Sequence, residues 1–290
     1  MTGPRSQLID SQGLEIHYLE WGEPSPMPIV LVHGFLDQAQ SWKFFVAALQ
    51  KIAQQPLWII APDCRGHGES GWVGAGGYYH FPDYVFDLDC VIRALRVKRF
   101  HLIGHSMGGT ISFLYGGSFP ERVERLILIE GIGPVGMTFA DAPPRMKNWI
   151  TEVHERGRRH FREYTSPAAG ADQLQQTNPR LTRERALDLA RSGMKQNNKG
   201  KWIWKFDPLH RTAAPQPFYT AQAIEFFRRI HCPVLIVDGS ESRQTRRTDK
   251  QDRYESLADV RRIVIDRAGH MVHQDNPGRL AEVVRAFLGV

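Results

Sequence analysis

Gly104-His105-Ser106-Met107-Gly108, with Gly109 behind it, follows the apolar run RFHLI and precedes a stretch with apolar residues at helical spacing. In a strand–turn–helix context this G-x-S-x-G pattern lifts a serine hydroxyl above a sheet, and the glycines avoid clashes in the tight turn. The chemistry on offer is nucleophilic attack by Ser106; the alternative is a plain glycine-rich turn. A serine hydroxyl is weak at neutral pH and needs a base within hydrogen-bond reach. RIVIDRAGHMVHQDNP places His270 on a loop between the last apolar run and a closing helix, which makes it the candidate base among twelve histidines. His273, three residues on, reads as structural or pocket-lining.

Attack on a carbonyl also requires two donors aimed at the developing oxyanion. IVLVHGF ends a run at His33-Gly34-Phe35, so the backbone N–H of Phe35 is one candidate, with a mere turn as the alternative. The N–H of Met107, directly after the serine and at a helix N-terminus, is the other. A third oddity is LILIEGIGP (126–134), an oily run that ends in Glu130. An ionised carboxylate there is costly unless something elsewhere in the chain partners it.

The elements that must carry these groups are legible as an alternation. Short apolar runs stand at Leu14–Leu19, Pro28–Val32, Leu57–Ala61, Arg99–Ile103, Leu126–Ile129, Pro233–Val237 and Arg262–Ile265. Helical periodicity fills Ser41–Ala53, Pro82–Leu95 and Ser106–Phe119, and Asn276–Leu288 reads as an amphipathic closing helix. Strand, helix, strand, helix implies parallel strands joined by right-handed crossovers, with helices on both faces of the sheet. The alternation fails between Gly136 and Ile230, a charged and aromatic stretch that reads mostly as helices broken at Pro167, Pro179, Pro208 and Pro215. The expected division is therefore a core over 1–135, a helical cap over 136–230 placed above the carboxyl ends of the strands, and the rest of the core over 231–290.

Length and composition set the outer bounds. With 290 residues, 42% of them apolar, the chain suffices for one large α/β core with an inserted module. No stretch approaches the ~20 consecutive apolar residues of a membrane helix, and the start lacks a signal-peptide core, so a soluble, cytoplasmic protein without membrane insertion is expected. Cys64, Cys90 and Cys232 are odd in number and scattered, as reduced packing residues would be. The net charge of +6 is uneven: 141–231 holds 17 Lys or Arg against 9 Asp or Glu. That face could draw anionic ligands, although a solvated surface is the plainer reading. No nucleic-acid partner is expected.

Four stretches, HGFLDQAQSW, DCRGHGES (63–70), GHSMGG and AGHMVHQDNP, occur in an order and at separations that resemble an α/β-hydrolase fold enzyme along essentially the whole chain. The first also resembles the serine hydrolase-like branch, of carboxylesterase type. The resemblance implies a mostly parallel eight-stranded sheet with an inserted helical cap. It departs from the commonest pattern at one place: the usual acid, three residues after a glycine following the seventh strand, is here Ser242. Some members place the acid at the end of the sixth strand, where Glu130 stands, so Glu130 is the expected partner of His270, with Asp238 and Glu241 as competitors. Asp63, Glu69 and Ser70 are expected to fix a turn. Trp149, Trp202 and Trp204 are candidate pocket walls or, equally, core. The implied mechanism is acyl transfer to Ser106 without metal or organic cofactor, on a small-molecule ester. A lactone, thioester, amide or carbon–carbon bond hydrolase, and a ligand-binding receptor on the same fold, are the alternatives. Serine at the elbow disfavours epoxide hydrolase and dehalogenase activities, which use aspartate there.

Overall fold

The computed structural model describes residues 3–156, 161–243, 247 and 249–290. Its strands are β1 (Arg5–Ser11), β2 (Leu14–Trp21), β3 (Ile29–Val32), β4 (Ile59–Pro62), β5 (Phe100–His105), β6 (Val123–Ile129), β7 (Met194–Gln196), β8 (Trp202–Trp204), β9 (Val234–Gly239) and β10 (Val260–Ile265). Eight of them form one sheet in the order β1-β2-β4-β3-β5-β6-β9-β10, and β7 pairs with β8 apart from it. β1 with β2 and β2 with β4 are antiparallel; every pairing from β4 to β10 is parallel. Parallel strands are covered on both faces, which is why IVLV of β3 is buried at all four positions.

The helices are α1 (Lys43–Ile52), α2 (Phe81–Ala94), α3 (Met107–Ser118), α4 (Ala142–Arg156), α5 (Pro167–Thr177), α6 (Arg183–Gly193), α7 (Thr220–Arg228), α8 (Gln251–Glu255), α9 (Val272–Asp275) and α10 (Pro277–Leu288). Alternation along each strand sorts the core into two layers. Leu31, Ile103, Ile127 and Val237 meet Phe45 and Leu49 of α1 and Leu280 and Val284 of α10. Val32, Leu102, Leu128 and Ile236 meet Leu88 of α2, Ile111 and Phe113 of α3 and Phe227 of α7. These layers hold the carboxyl ends of β3, β5, β6 and β9 side by side. The loops that carry the candidate site start there.

Between β6 and β9, α5 and α6 build a small core of their own around Tyr164, Ala171, Leu189 and Met194, with Trp202 and Trp204 of β8 against it. Pro167 begins α5 rather than breaking a helix, since the first helical turn needs no proline N–H, and Ser166 caps it by accepting from Ala169 N. The β7–β8 hairpin interrupts a stretch that reads as helical. α7 lies within 136–230 yet packs on α3 and the main sheet. Residues 157–160 of that stretch lie outside the described residues.

Candidate active site

Ser106 leaves β5 and opens α3 with φ 53° and ψ −113°. A non-glycine residue in that region stores about 1–3 kcal/mol of strain and persists only where its surroundings enforce it. Here Ser106 N donates to Ile129 O at 2.9 Å, and α3 is drawn tight against β3: a Cβ on Gly108 would fall 2.2 Å from Val32 O. The hydroxyl faces His270 Nε2 at 2.9 Å. His270 Nδ1 faces Glu130 Oε2 at 3.1 Å. Three residues from three separate strand ends thus form one hydrogen-bonded chain.

Glu130, also at positive φ (53°), is buried just past the end of β6. Its Oε1 accepts from Gly239 N at 2.7 Å and its Oε2 from the Ser242 hydroxyl at 2.6 Å, besides facing His270. Three donors converging on an acceptor-only group are what make a buried carboxylate tolerable. The partner that LILIEGIGP demands is thus three groups, one of them the serine in the slot where relatives of this fold carry their acid. The competing carboxylates are engaged elsewhere: Asp238 faces Lys250 Nζ at 3.4 Å, and Glu241 accepts from Arg180 Nε at 2.8 Å. Burial pushes the Asp238 carboxyl up, an effect that Lys250 opposes.

Gly34 and Phe35 run beside the serine, close enough that a Cβ on Gly34 would sit 3.3 Å from Ser106 Cβ. This loop is held by two buried imidazoles. His33 bonds Gly34 O through Nδ1 at 2.8 Å and accepts from Cys64 N through Nε2 at 2.9 Å. His67 Nε2 accepts from Leu36 N at 3.2 Å, so its proton sits on Nδ1 and goes to Arg65 O. Burial, with His210 and His33 nearby, keeps His67 well below the usual histidine range and hence neutral, as an acceptor must be. His105 donates from Nε2 to the carbonyl of His270 at 2.8 Å. Burial, with His273 and His270 nearby, keeps it neutral too. None of Ser242, His67 and His105 is singled out by sequence reasoning for these roles. For Ser242 the offset from Gly239 was the available signal; for the histidines there was none beyond their place in turn motifs.

Asp63 accepts from Ala39 N at 2.6 Å and from Glu69 N at 3.0 Å, and bonds the His17 ring at 2.7 Å. The Ser70 hydroxyl closes the same turn on Asp63 O at 2.6 Å. Glu69 instead pairs with Lys205, tying that turn to the segment above it.

Two cavities meet at the chain of three. The larger, about 950 Å³, is lined by Ser106, Met107 and Glu130 together with apolar residues such as Leu114, Phe218 and Phe226. The smaller, about 300 Å³, is lined by His270, Trp204, Leu174, Thr177, Asp37 and Gln274 among others. Phe35 borders both. Of the three tryptophans, Trp204 lines the smaller cavity, Trp149 stacks edge-on against Tyr78 beside the larger, and Trp202 borders neither. Among the described basic residues of 141–231, Arg145 reaches the larger cavity and Lys205 the smaller. Asp37, His105 and His273 each offer one possible metal-ligating atom within 4.8 Å of the others, behind His270. Among the described residues, no helix is long and apolar enough to cross a membrane.

The comparisons with known proteins agree with this architecture. The chain is 26% identical to a serine hydrolase-like protein of Dictyostelium discoideum, over 99% of this chain and 82% of that protein. It is 24% identical to an esterase of Mycobacterium tuberculosis, over 99% of this chain and 91% of that protein. Among solved structures, the thioesterase domain from the curacin biosynthetic pathway superposes with a TM-score of 0.88 at 25% identity, covering 98% of this chain and all (100%) of that one. The model of the alpha/beta hydrolase family matches residues 29–283, and the chain belongs to that family.

Proposed function

We propose that this protein is a serine hydrolase that cleaves carboxylic esters through an acyl-enzyme on Ser106. The observation that carries this reading is the hydrogen-bonded chain from Ser106 Oγ through His270 to Glu130, opening on a large apolar cavity. Ser106 Oγ attacks the ester carbonyl as His270 Nε2 takes its proton. Phe35 and Met107 N–H groups receive the oxyanion. His270 then returns the proton to the leaving alcohol, and a water activated by the same nitrogen releases the acid. Glu130 holds Nδ1–H throughout, fixing the tautomer and stabilising the imidazolium. The segment 136–230 acts as a cap that shapes both cavities. A thioester is the second reading, favoured by the likeness to a thioesterase domain; it uses the same acyl-enzyme.

The test is turnover of a panel of aryl esters, alkyl esters and thioesters by wild type and Ser106→Ala. Wild type is expected to turn over esters, and the variant to lose at least about 10⁴-fold. Hydrolysis that survives in the variant, or a wild type inert on the whole panel, overturns the reading.

A further inference from the structure

We infer that the substrate carries a carboxylate, which the Arg145 guanidinium receives while Ser106 meets the ester; this rests on the serine-hydrolase reading above. Four charged residues line the cavity of about 950 Å³ that opens on Ser106: Glu130, Asp141, Arg145 and Arg247. Three of them have their charge answered within the chain. Glu130 accepts from Gly239 N and the Ser242 hydroxyl and faces His270. Arg247 grips both carboxylate oxygens of Asp249, at 2.9 Å from Nε and 2.6 Å from Nη2, and donates from Nη1 to Gly133 O at 2.9 Å. Asp141 stands four residues before Arg145, yet its Oδ2 turns back to accept from Thr138 N at 2.7 Å and Thr138 Oγ1 at 2.8 Å, closing the turn that precedes α4. Arg145 donates only to neutral acceptors, from Nε to Gln216 O at 3.2 Å and from Nη1 to Met137 Sδ at 3.4 Å. Among the described residues, no carboxylate pairs with it.

The two contacts hold a half-buried guanidinium in place and leave Nη2 without a protein partner among the described residues. A planar fork fixed in this way has donors free for a ligand, and a carboxylate matches it with two parallel N–H···O bonds. By contrast Lys205, the described basic residue of 141–231 on the smaller cavity, has its charge met by Glu69. The larger cavity mixes Leu114, Phe218 and Phe226 with the neutral polar side chains of Tyr78, Thr212 and Gln216, so it has room for a substrate with one apolar and one polar part. One unmatched positive charge calls for a monoanion. A phosphate dianion would keep a surplus negative charge in a cavity that Asp141 and Glu130 also line, so the carboxylate is the better fit. That carboxylate belongs either to the acid half of the ester, as in a half-ester of a dicarboxylic acid, or to the alcohol half, as in an ester of a hydroxy acid.

Two substrate series read by kcat/KM at neutral pH test this. In the first, monomethyl esters of dicarboxylic acids from succinic to sebacic are set against the methyl esters of the matching ω-amides, which keep the shape and lose the charge. In the second, acetate esters of ω-hydroxy acids are set against those of the matching hydroxy amides. Wild type is expected to favour carboxylate over amide by at least about tenfold at the best chain length of one series. Arg145→Met should bring that ratio to within about twofold of one and leave turnover of the amides within about twofold of wild type, while Arg145→Lys should keep part of the preference. Lys147→Met removes an exposed charge from the same helix that borders neither cavity, and should leave the ratio unchanged; this separates recognition at Arg145 from a general attraction of anions to a basic surface. A ratio near one in both series, or a preference that Arg145→Met does not lower, overturns the inference. Fluorophosphonate labelling of the same preparations tells the two readings apart: a labelled Ser106 with no preference for carboxylates refutes this inference alone, whereas labelling that does not depend on Ser106 refutes the serine-hydrolase reading and this inference with it.

Discussion

Replacing Glu130 by glutamine exchanges an acceptor-only group for one with a single acceptor atom and two N–H donors. The native site sends three donors to this side chain: Gly239 N to Oε1, and the Ser242 hydroxyl and His270 Nδ1 to Oε2. If the amide nitrogen takes the place of Oε1 it meets Gly239 N–H, donor against donor, and leaves a buried bond unmade at about 1–3 kcal/mol. If it takes the place of Oε2, the Ser242 hydroxyl can rotate to accept, and His270 can accept as well by moving its proton to Nε2. The second arrangement leaves no donor unpaired, so it wins. It also turns an N–H toward Ser106, where a base must present a lone pair. Glu130→Gln should therefore lower kcat by something like 10²–10⁴-fold, approaching the upper value if the wrong tautomer dominates, which at 10⁴ is about 5.5 kcal/mol in the barrier. Stability should change by no more than about 1 kcal/mol, because the Gly239 bond survives. The assay is stopped-flow acylation by an activated ester alongside urea unfolding, with Asp238→Asn and Glu241→Gln as controls that should lose far less. A Glu130→Gln enzyme within tenfold of wild type, or a control that carries the large loss, would refute the reasoning.

Three further outcomes follow from the same contacts. Because the Ser242 hydroxyl touches Glu130 Oε2 at 2.6 Å, Ser242→Asp in the Glu130→Gln background should restore part of the lost acylation rate, whereas Ser242→Asp should give no gain in wild type. His101 and His210 are held by burial down to about 4 and about 3, so the folded state binds fewer protons than the unfolded one below pH 6.5. Their contribution is fully present above pH 6.5 and is lost as pH falls toward the folded values, by about 2 kcal/mol per histidine between pH 8 and pH 5. Urea midpoints that stay constant over that range would count against it. Trp204→Ala, at the wall of the smaller cavity, should change relative rates among substrates, while Trp202→Ala should lower thermal stability and leave those ratios alone.

What could be read from the sequence was whatever depends on near neighbours. The seven apolar runs all became strands: β3, β5, β6 and β9 have parallel neighbours on both sides, where burial on both faces demands continuous apolar residues, whereas β2 pairs antiparallel with both neighbours and β10 is an edge strand whose Arg261, Arg262 and Val264 are exposed. β1, RSQLIDS, has no such run: it is an edge strand paired only with β2, with most of its side chains exposed, and its register comes from the turn into β2. The β7–β8 hairpin is too short for a periodicity to register, and Trp202 and Trp204 lie two apart on one face of it rather than on a helix. At the site, the glycines around Ser106 and the loop position of His270 are local signals. The bond that joins Glu130 to Ser242 spans 112 residues, and no local pattern reports it. A serine in the acid slot reads as an absence until the geometry gives it a donor's role. The basic surplus of 141–231 likewise says nothing about direction, and few of its described members face the cavities.

The central claim is that Ser106 becomes covalently acylated with His270 as its base. The measurement that meets it most directly is peptide mass spectrometry after treatment with a fluorophosphonate. The adduct should lie on the peptide containing Ser106, form at a rate that His270→Ala lowers by orders of magnitude, and be absent from Ser106→Ala. An adduct on another residue, or equal labelling of Ser106→Ala, would contradict the account.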